Sequence, residues 1–458
     1  MRRGVIGAAV AAALSVLSMP QSGAFPVSGD QTILPVGTEL DEDASTEPRE
    51  VFKSEAAGGV KPYLTNLGDM VFDSPTILGG AARQAGISCS TCHVQGVSNP
   101  KLFMPGMSTR PGNFDTSGPL FNPKADNSVL DPFTIPSLRG ARSLAPYGHD
   151  GRMASLRDFV RNVIVNEFAG PEPSPAILDA LVAYIQDIDF LLNPRLGAAG
   201  RLAAKASDSE RRGEALFRKP FPHDANLSCA GCHQPISAFV DHQQHDVGSG
   251  GLYKTPTLLN ANFNAPYFHD GRYDSYDQVV GHFDRVFELG LSPGDRQDLV
   301  AYLTAVGDGQ RPYEPRGVLD ELTELHDFVS VLDTALPAHD LEIIKLTVTT
   351  VGGELRELAE QIPDEKDTAL KEGADSRRLA RAVLKEMVMT LRRVDLAATS
   401  GQFDEAAAIF KTYQNLSDSA ALALPALEHW SLFNPTFHDA HYAALRQMVQ
   451  TATKTAQQ

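Results

Sequence analysis

The last third of the chain reads as helix. Apolar residues recur at helical spacing over Leu319 to Leu336, Leu341 to Ile362, Ser376 to Ala398 and His438 to Ala452, and Pro337, Pro363, Gly401 and Pro435 punctuate them. Residues 314–458 also lack cysteine, so this stretch predicts an appended helical bundle. The middle of the chain is patterned differently. Helical segments alternate there with polar loops rich in Gly and Pro, and the pattern occurs twice. Residues 136–152 match 256–272 without a gap, and 136–160 share 12 of 25 positions with 256–280 at an offset of 120. Gly68-Asp-Met-Val-Phe72 answers Gly213-Glu-Ala-Leu-Phe217 upstream, and Leu181-Val-Ala-Tyr-Ile185 answers Leu299-Val-Ala-Tyr-Leu303 downstream. The chain therefore holds a duplicated supersecondary unit.

Each unit predicts a helix, a loop, an HDGR turn and two further helices. Ser155-x-x-Asp158 and Ser275-x-x-Gln278 predict capping boxes at the helix after each turn. At the N-terminus, Val5 to Leu17 is an apolar run behind Arg2 and Arg3, followed by small Ser22, Gly23 and Ala24. It falls short of the ~20 residues of a membrane helix, so residues 1–24 predict a secretory signal and a periplasmic mature protein. No later run approaches that length, and the chain is not expected to be an integral membrane protein once the signal is cleaved. Residues 25–60, with the acidic stretch Glu39 to Asp43, predict a flexible leader. The expected architecture is all-α: two repeated helical domains, 61–197 and 198–313, followed by a C-terminal helical bundle over 314–458.

Composition narrows the chemistry. Hydrophobic residues make up 42% and charged residues 21%, as in soluble globular proteins. The formal net charge of −17 excludes a nucleic-acid binder, which needs a cationic surface. An acidic chain suits docking to a basic partner.

All four cysteines fall in two motifs, Cys89-Ser90-Thr91-Cys92-His93 and Cys229-Ala230-Gly231-Cys232-His233. In CxxCH the two sulfurs lie on one side of a helical turn, where each can add to a haem vinyl group. The next imidazole, His93 or His233, then ligates the iron as proximal ligand. A zinc site needs paired CxxC motifs at modest separation, with no reason for a His after both. A thioredoxin-like motif needs a βαβ context that this pattern lacks. Two covalently bound haem c groups are thus expected. The motifs stand at an offset of 140, against 120 for the HDGR blocks, so the first unit carries about 20 extra residues between them.

The distal sides are less determined. Met104 and Met107 are the soft ligands near the first motif, or else core filler. His245, in Asp241-His-Gln-Gln-His-Asp246, is the better distal candidate of the second, ahead of His242; the alternative is a surface or propionate-bonding histidine. His149 and His269 are expected to hydrogen-bond a propionate or backbone. Asp150 and Asp270 would fix the turn, and Arg152 and Arg272 would pair with propionates.

Two CxxCH motifs, each followed by an APYxHDGR block, resemble the bacterial di-haem cytochrome c peroxidase and MauG-like family, over about residues 60–310. The resemblance implies a pair of cytochrome c-like domains, one haem that reacts with hydrogen peroxide, and a second that passes electrons. It also implies a partner, either a small redox protein as electron donor or a protein substrate. The chain departs from the family pattern at several places. Phe283 stands where the second haem's Met or Tyr ligand falls, with Val163 as its counterpart, and adjacent His282 would point elsewhere on a helix. His149 stands where the family has a Trp, and Trp430 is the only Trp. Phe159 takes the place of the peroxidatic Gln, which leaves Glu167 as the candidate acid–base residue. Asn264 and Pro266 align with the carbonyl pair of a bridging calcium, while Thr134 replaces that site's Asn. The expected activity is a peroxidase or MauG-like oxidoreductase. A non-catalytic di-haem electron carrier, or an interaction protein docking through its bundle, are the alternatives.

Overall fold

The structure is a computed structural model that describes residues 34–40, 50–56, 61–310, 317–364 and 370–456. The expected signal peptide, 1–24, and most of the expected leader lie outside the described residues. The chain divides into two compact units, one over Gly29–Glu314 and one that takes in Pro315–Gln458. Helix dominates both. Among the described residues the only sheets are two antiparallel ladders of two residues per strand.

The first unit carries the duplication as structure. Helix α1 (Tyr63–Phe72) crosses α4 (Pro175–Asp187), and α5 (Asp208–Arg218) crosses α8 (Pro293–Val306) in the same manner. Ser174, Ser207 and Ser292 cap three of these helices, and Pro175 and Pro293 open two of them, where a missing N–H costs nothing. Each crossing is set by a glycine. A Cβ on Gly68 would lie 2.0 Å from the Ala180 carbonyl oxygen, and one on Gly213 would lie 2.0 Å from that of Asp298. The close approach buries Leu67, Met70, Leu181 and Tyr184 in the first half, and Phe217, Leu299, Tyr302 and Val306 in the second.

Between the crossing helices run α2 (Cys89–Cys92) and α6 (Cys229–Cys232), then a ladder, then the HDGR turn and α3 (Leu156–Asn162) or α7 (Tyr276–Val286). In the first half β1 (Asn113–Phe114) pairs with β2 (Phe133–Thr134). In the second, β3 (Gln244–His245) pairs with β4 (Tyr253–Lys254). Ser155 and Ser275 accept from the Asp158 and Gln278 amides, so both N-caps form. Neither expected capping box is reciprocated: only the serine half forms at Ser155, and at Ser275 the Gln278 side chain accepts from the Asp274 amide instead, 2.7 Å away. Helix α3 ends in a π-helical turn over Val163–Glu167 that has no counterpart in α7.

In the second unit, α9 (Val318–Ser330), α10 (Leu341–Glu360), α11 (Ala374–Thr399) and α13 (Pro435–Ala456) fall on the four expected helices, the first of which breaks at Val331 before a short helix over Leu332–Ala335. Pro435 opens its helix rather than preceding it. A further helix, α12 (Phe403–Ala423), packs on α11. Its buried stripe is Ala406, Phe410, Tyr413, Ser417, Ala420 and Ala423, written largely in small residues that a hydrophobic pattern understates.

Candidate haem centres

Each CxxC turn presents its two cysteines and the following histidine against the helix crossing. None of the four cysteines is in a disulfide, and each residue is half-buried. Burial pushes the Cys89 and Cys229 thiols up to about 12, so both are protonated. His93 Nδ1 lies 3.1 Å from the Val97 carbonyl oxygen, and His233 Nδ1 lies 3.3 Å from that of Phe239. A carbonyl only accepts, so Nδ1 carries the proton and Nε2 keeps its lone pair. Burial pushes both imidazoles below their ordinary value, with the nearby carbonyls opposing it. The rings rest on equivalent aromatics: Phe72 at 6.3 Å from His93, and Phe217 at 6.4 Å from His233. Phe72 and Phe217 in turn pack on Tyr184 and Tyr302, each at 5.0 Å. The donor set fits a haem in each half: two neutral thiols on one helical turn and a neutral imidazole with a fixed tautomer. Among the described residues no cluster joins both cysteine pairs, as a shared zinc would require.

The HDGR turns join the halves by a reciprocal exchange. The Thr134 amide of β2 donates to the His269 carbonyl at 2.6 Å, and the Lys254 amide of β4 donates to the His149 carbonyl at 2.9 Å. Around these bonds, Asn113 Nδ2 donates to the Asp270 carbonyl at 3.2 Å, and Arg110 pairs with Asp274. His242 Nδ1 meets the Ala145 carbonyl at 2.6 Å, and Gln244 donates to that of Asp150. Asn113 of β1 and Gln244 of β3 thus make equivalent bonds to the HDGR turn of the opposite half. His149 stacks on Phe133 at 5.4 Å and donates from Nε2 to the Thr134 carbonyl at 2.8 Å. His269 stacks on Tyr253 at 3.7 Å. Burial pushes His149 down to about 4 and lowers His269 as well. Asp150 and Asp270 accept from the Arg152 and Arg272 amides, which fixes each turn as expected.

The arginines expected on propionates hold protein partners. Arg152 bridges Asp150 and Glu167, at 3.1 and 2.8 Å, and Arg272 pairs with Asp270 and donates to the Ser249 carbonyl. The structure thereby brings two expected site residues together. The Glu167 carboxylate, at the end of the π-helical turn, accepts from both Arg152 and Asn162. Met104 and Met107 are 1% and 4% exposed, on the extra loop, where the Met104 amide donates to Ser108 Oγ and Met107 packs over Gly118. His245 Nε2 meets Asp241 at 2.6 Å, in a group that includes Cys232. His282 is buried with both ring nitrogens engaged.

Two carbonyl pairs are related by the repeat. Those of Leu144 and Pro146 accept from Lys254 Nζ at 2.9 and 2.8 Å, so an ammonium fills that position. Burial pushes Lys254 down to about 8, and it stays charged at neutral pH. The other pair is Asn264 and Pro266, opposite Thr134, the residue equivalent to Lys254. There Asn264 Oδ1 is buried and makes no hydrogen bond, which fits a bound cation. The sequence reading missed Lys254. Its signal was the Thr134/Lys254 mismatch in the repeat, which gains meaning only when the halves face each other.

Two thiol–imidazole cradles on duplicated helix crossings are the arrangement that two haems would need. Residues 209–313 match the family described as di-haem cytochrome c peroxidase. The chain is 23% identical over 373 residues to hydrazine synthase subunit gamma of Kuenenia stuttgartiensis, covering 67% of this chain and 97% of that one. It is 26% identical over 296 residues to methylamine utilization protein MauG of Methylorubrum extorquens, covering 54% and 79%. A 79-residue stretch, 15% of this chain and 20% of its relative, is 32% identical to cytochrome-c peroxidase IdrP1 of a Pseudomonas species. The chain is thus similar, over its second repeat and beyond, to the di-haem cytochrome c peroxidase and MauG-like oxidoreductases. No helix among the described residues is long and apolar enough to cross a membrane.

Proposed function

We propose that this is an exported, periplasmic di-haem c-type cytochrome that reduces hydrogen peroxide or uses it to oxidise a partner protein. Each half, 61–197 and 198–313, would be one cytochrome c-like domain. The observation that carries the reading is the repeated cradle: paired neutral thiols beside an imidazole whose Nδ1 is fixed on a carbonyl. When bound, haem would supply a redox-active iron able to exchange electrons or bind a small molecule such as peroxide. Cys89 and Cys92, and Cys229 and Cys232, would hold the two macrocycles as thioethers. His93 and His233 would present Nε2 to the irons, and Phe72 and Phe217 fix the ring planes. Glu167 would move the proton that peroxide cleavage needs, once Arg152 turns from it to a haem propionate. Calcium at Asn264 and Pro266 would match the ammonium of Lys254 across the repeat. An acidic chain favours a basic redox partner.

The test is spectroscopic. Protein matured with haem c should give two haems per chain after alkaline pyridine treatment, and Cys89→Ser with Cys92→Ser should give one. The ferric spectrum should change with cyanide and with peroxide. Two low-spin haems inert to both would leave the alternative, a non-catalytic electron carrier. The engagement of Glu167 by Arg152 and Asn162 favours that second reading.

A further inference from the structure

The second half contains a hydrogen-bonded pair that the first half lacks. Tyr273 Oη lies 2.9 Å from His282 Nδ1, and His282 Nε2 lies 2.7 Å from the Val247 carbonyl oxygen. The carbonyl can only accept, so Nε2 carries the hydrogen. In the neutral ring Nδ1 is then the acceptor, and the phenol donates to it. His282 is 5% exposed, and Phe268 stands edge-on to both rings, at 5.0 Å from Tyr273 and 4.8 Å from His282. The geometry is pinned from both sides. Tyr273 is held in a ladder with Tyr267, with N–O distances of 2.7 and 3.4 Å, and His282 sits two turns into α7.

The repeat shows that the fold does not need this pair. At the offset of 120 the counterparts are Met153 and Asn162. The same ladder forms there, between Tyr147 and Met153 at 2.6 and 3.3 Å. Beyond the pair, aromatic rings continue from Phe268 to Phe283 at 6.0 Å, to Phe287 at 6.1 Å and to Phe221 at 5.0 Å, on the segment that leads into Cys229.

A phenol loses an electron readily only if its proton leaves at the same time, and a neutral imidazole at hydrogen-bond distance is a ready acceptor. We propose that Tyr273 is a redox-active tyrosine, with His282 as its proton acceptor, that gives one electron to the oxidised haem of the second half. In the step, the Tyr273 O–H bond breaks and an N–H bond forms at His282 Nδ1. The electron passes to the haem, which is reduced by one equivalent, leaving a neutral tyrosyl radical beside an imidazolium. The oxidant is hydrogen peroxide. It takes two electrons and two protons to become two waters, and so leaves the haem group two electrons short; Tyr273 restores one. When a donor reduces the radical, the proton returns from Nδ1. The inference rests on the peroxide reading above.

The experiment uses the full di-haem protein, mixed in its diferric state with hydrogen peroxide, freeze-quenched and read by electron paramagnetic resonance, with ring-deuterated tyrosine to identify the radical. The wild type should give a tyrosyl signal whose hyperfine lines collapse on deuteration. Tyr273→Phe should lose that signal while keeping the haem absorbance and helical circular dichroism. His282→Gln should slow its appearance by about a hundredfold, the usual contribution of a positioned proton acceptor. A wild-type yield in Tyr273→Phe, or oxidised haem with no tyrosyl radical in the wild type, overturns the proposal. A photogenerated ruthenium(III) polypyridyl oxidant separates the two readings. If peroxide leaves the haems unchanged while the photo-oxidant still produces the Tyr273 radical, the peroxide reading fails and the pair stands. If neither oxidant produces it, the pair fails.

Discussion

Acidification should loosen the junction between the halves through His149. Its ring is packed on Phe133, its Nε2 donates to the Thr134 carbonyl, and its backbone carbonyl receives the Lys254 amide. Burial pushes the imidazole from an ordinary 6.5 to about 4; the charges of Lys254, His269 and Arg152 add to the shift, and the Thr134 carbonyl opposes it. The folded chain therefore keeps His149 neutral over a range in which the unfolded chain protonates it. Its contribution is whole above pH 6.5 and is lost as pH falls toward 4. At about 1.4 kcal/mol per pH unit, that interval is worth about 3 kcal/mol. Urea unfolding of the di-haem protein, followed by circular dichroism from pH 7 to pH 4, measures it when wild type is compared with His149→Gln. The amide keeps a donor for Thr134 but does not titrate. Other groups that titrate in this range, including Asp69, which burial raises to about 6, act in both proteins and cancel. The variant should lose about 3 kcal/mol less across the interval. Parallel curves for the two proteins would refute the reasoning.

Three further outcomes follow from the same geometry. Gly213→Ala places a Cβ 2.0 Å from the Asp298 carbonyl oxygen and should cost about 3 kcal/mol by forcing α5 from α8, read as a fall in Tm. Lys254→Met leaves the Leu144 and Pro146 carbonyls without their donor and should cost about 2 kcal/mol in urea unfolding. Arg152→Gln frees Glu167 from a half-exposed ion pair, so stability should move by less than about 1 kcal/mol, while the rate of peroxide turnover changes if Glu167 handles its proton.

Much of this molecule was written locally. The CxxCH spacing fixes both sulfurs and the imidazole on one helical turn, because 3.6 residues per turn leaves no other arrangement. The duplication, the serine caps, the HDGR turns and four of the five long bundle helices also follow from short stretches of chain. What lay outside local pattern was pairing. Thr134 and Lys254 are unremarkable in sequence, yet each reaches the HDGR turn of the opposite half, and the backbone bonds they make carry no side-chain signature. Helix α12 escaped because its buried stripe is mostly small residues. The sequence points Arg152 to a haem propionate and Glu167 to acid–base work, and only the turn of chain after α3 brings them within 2.8 Å of each other. Tyr273 and His282 stand nine positions apart across a helix start, and the Val247 carbonyl decides which imidazole nitrogen is left to accept. The sequence by itself determined the chemistry on offer, two thiol–imidazole cradles in two copies of one unit. Which groups meet was decided in three dimensions: within a half by how the chain turns around α3 and α7, and between the halves by how the HDGR turns dock on the opposite ladder, because neither contact leaves a local pattern.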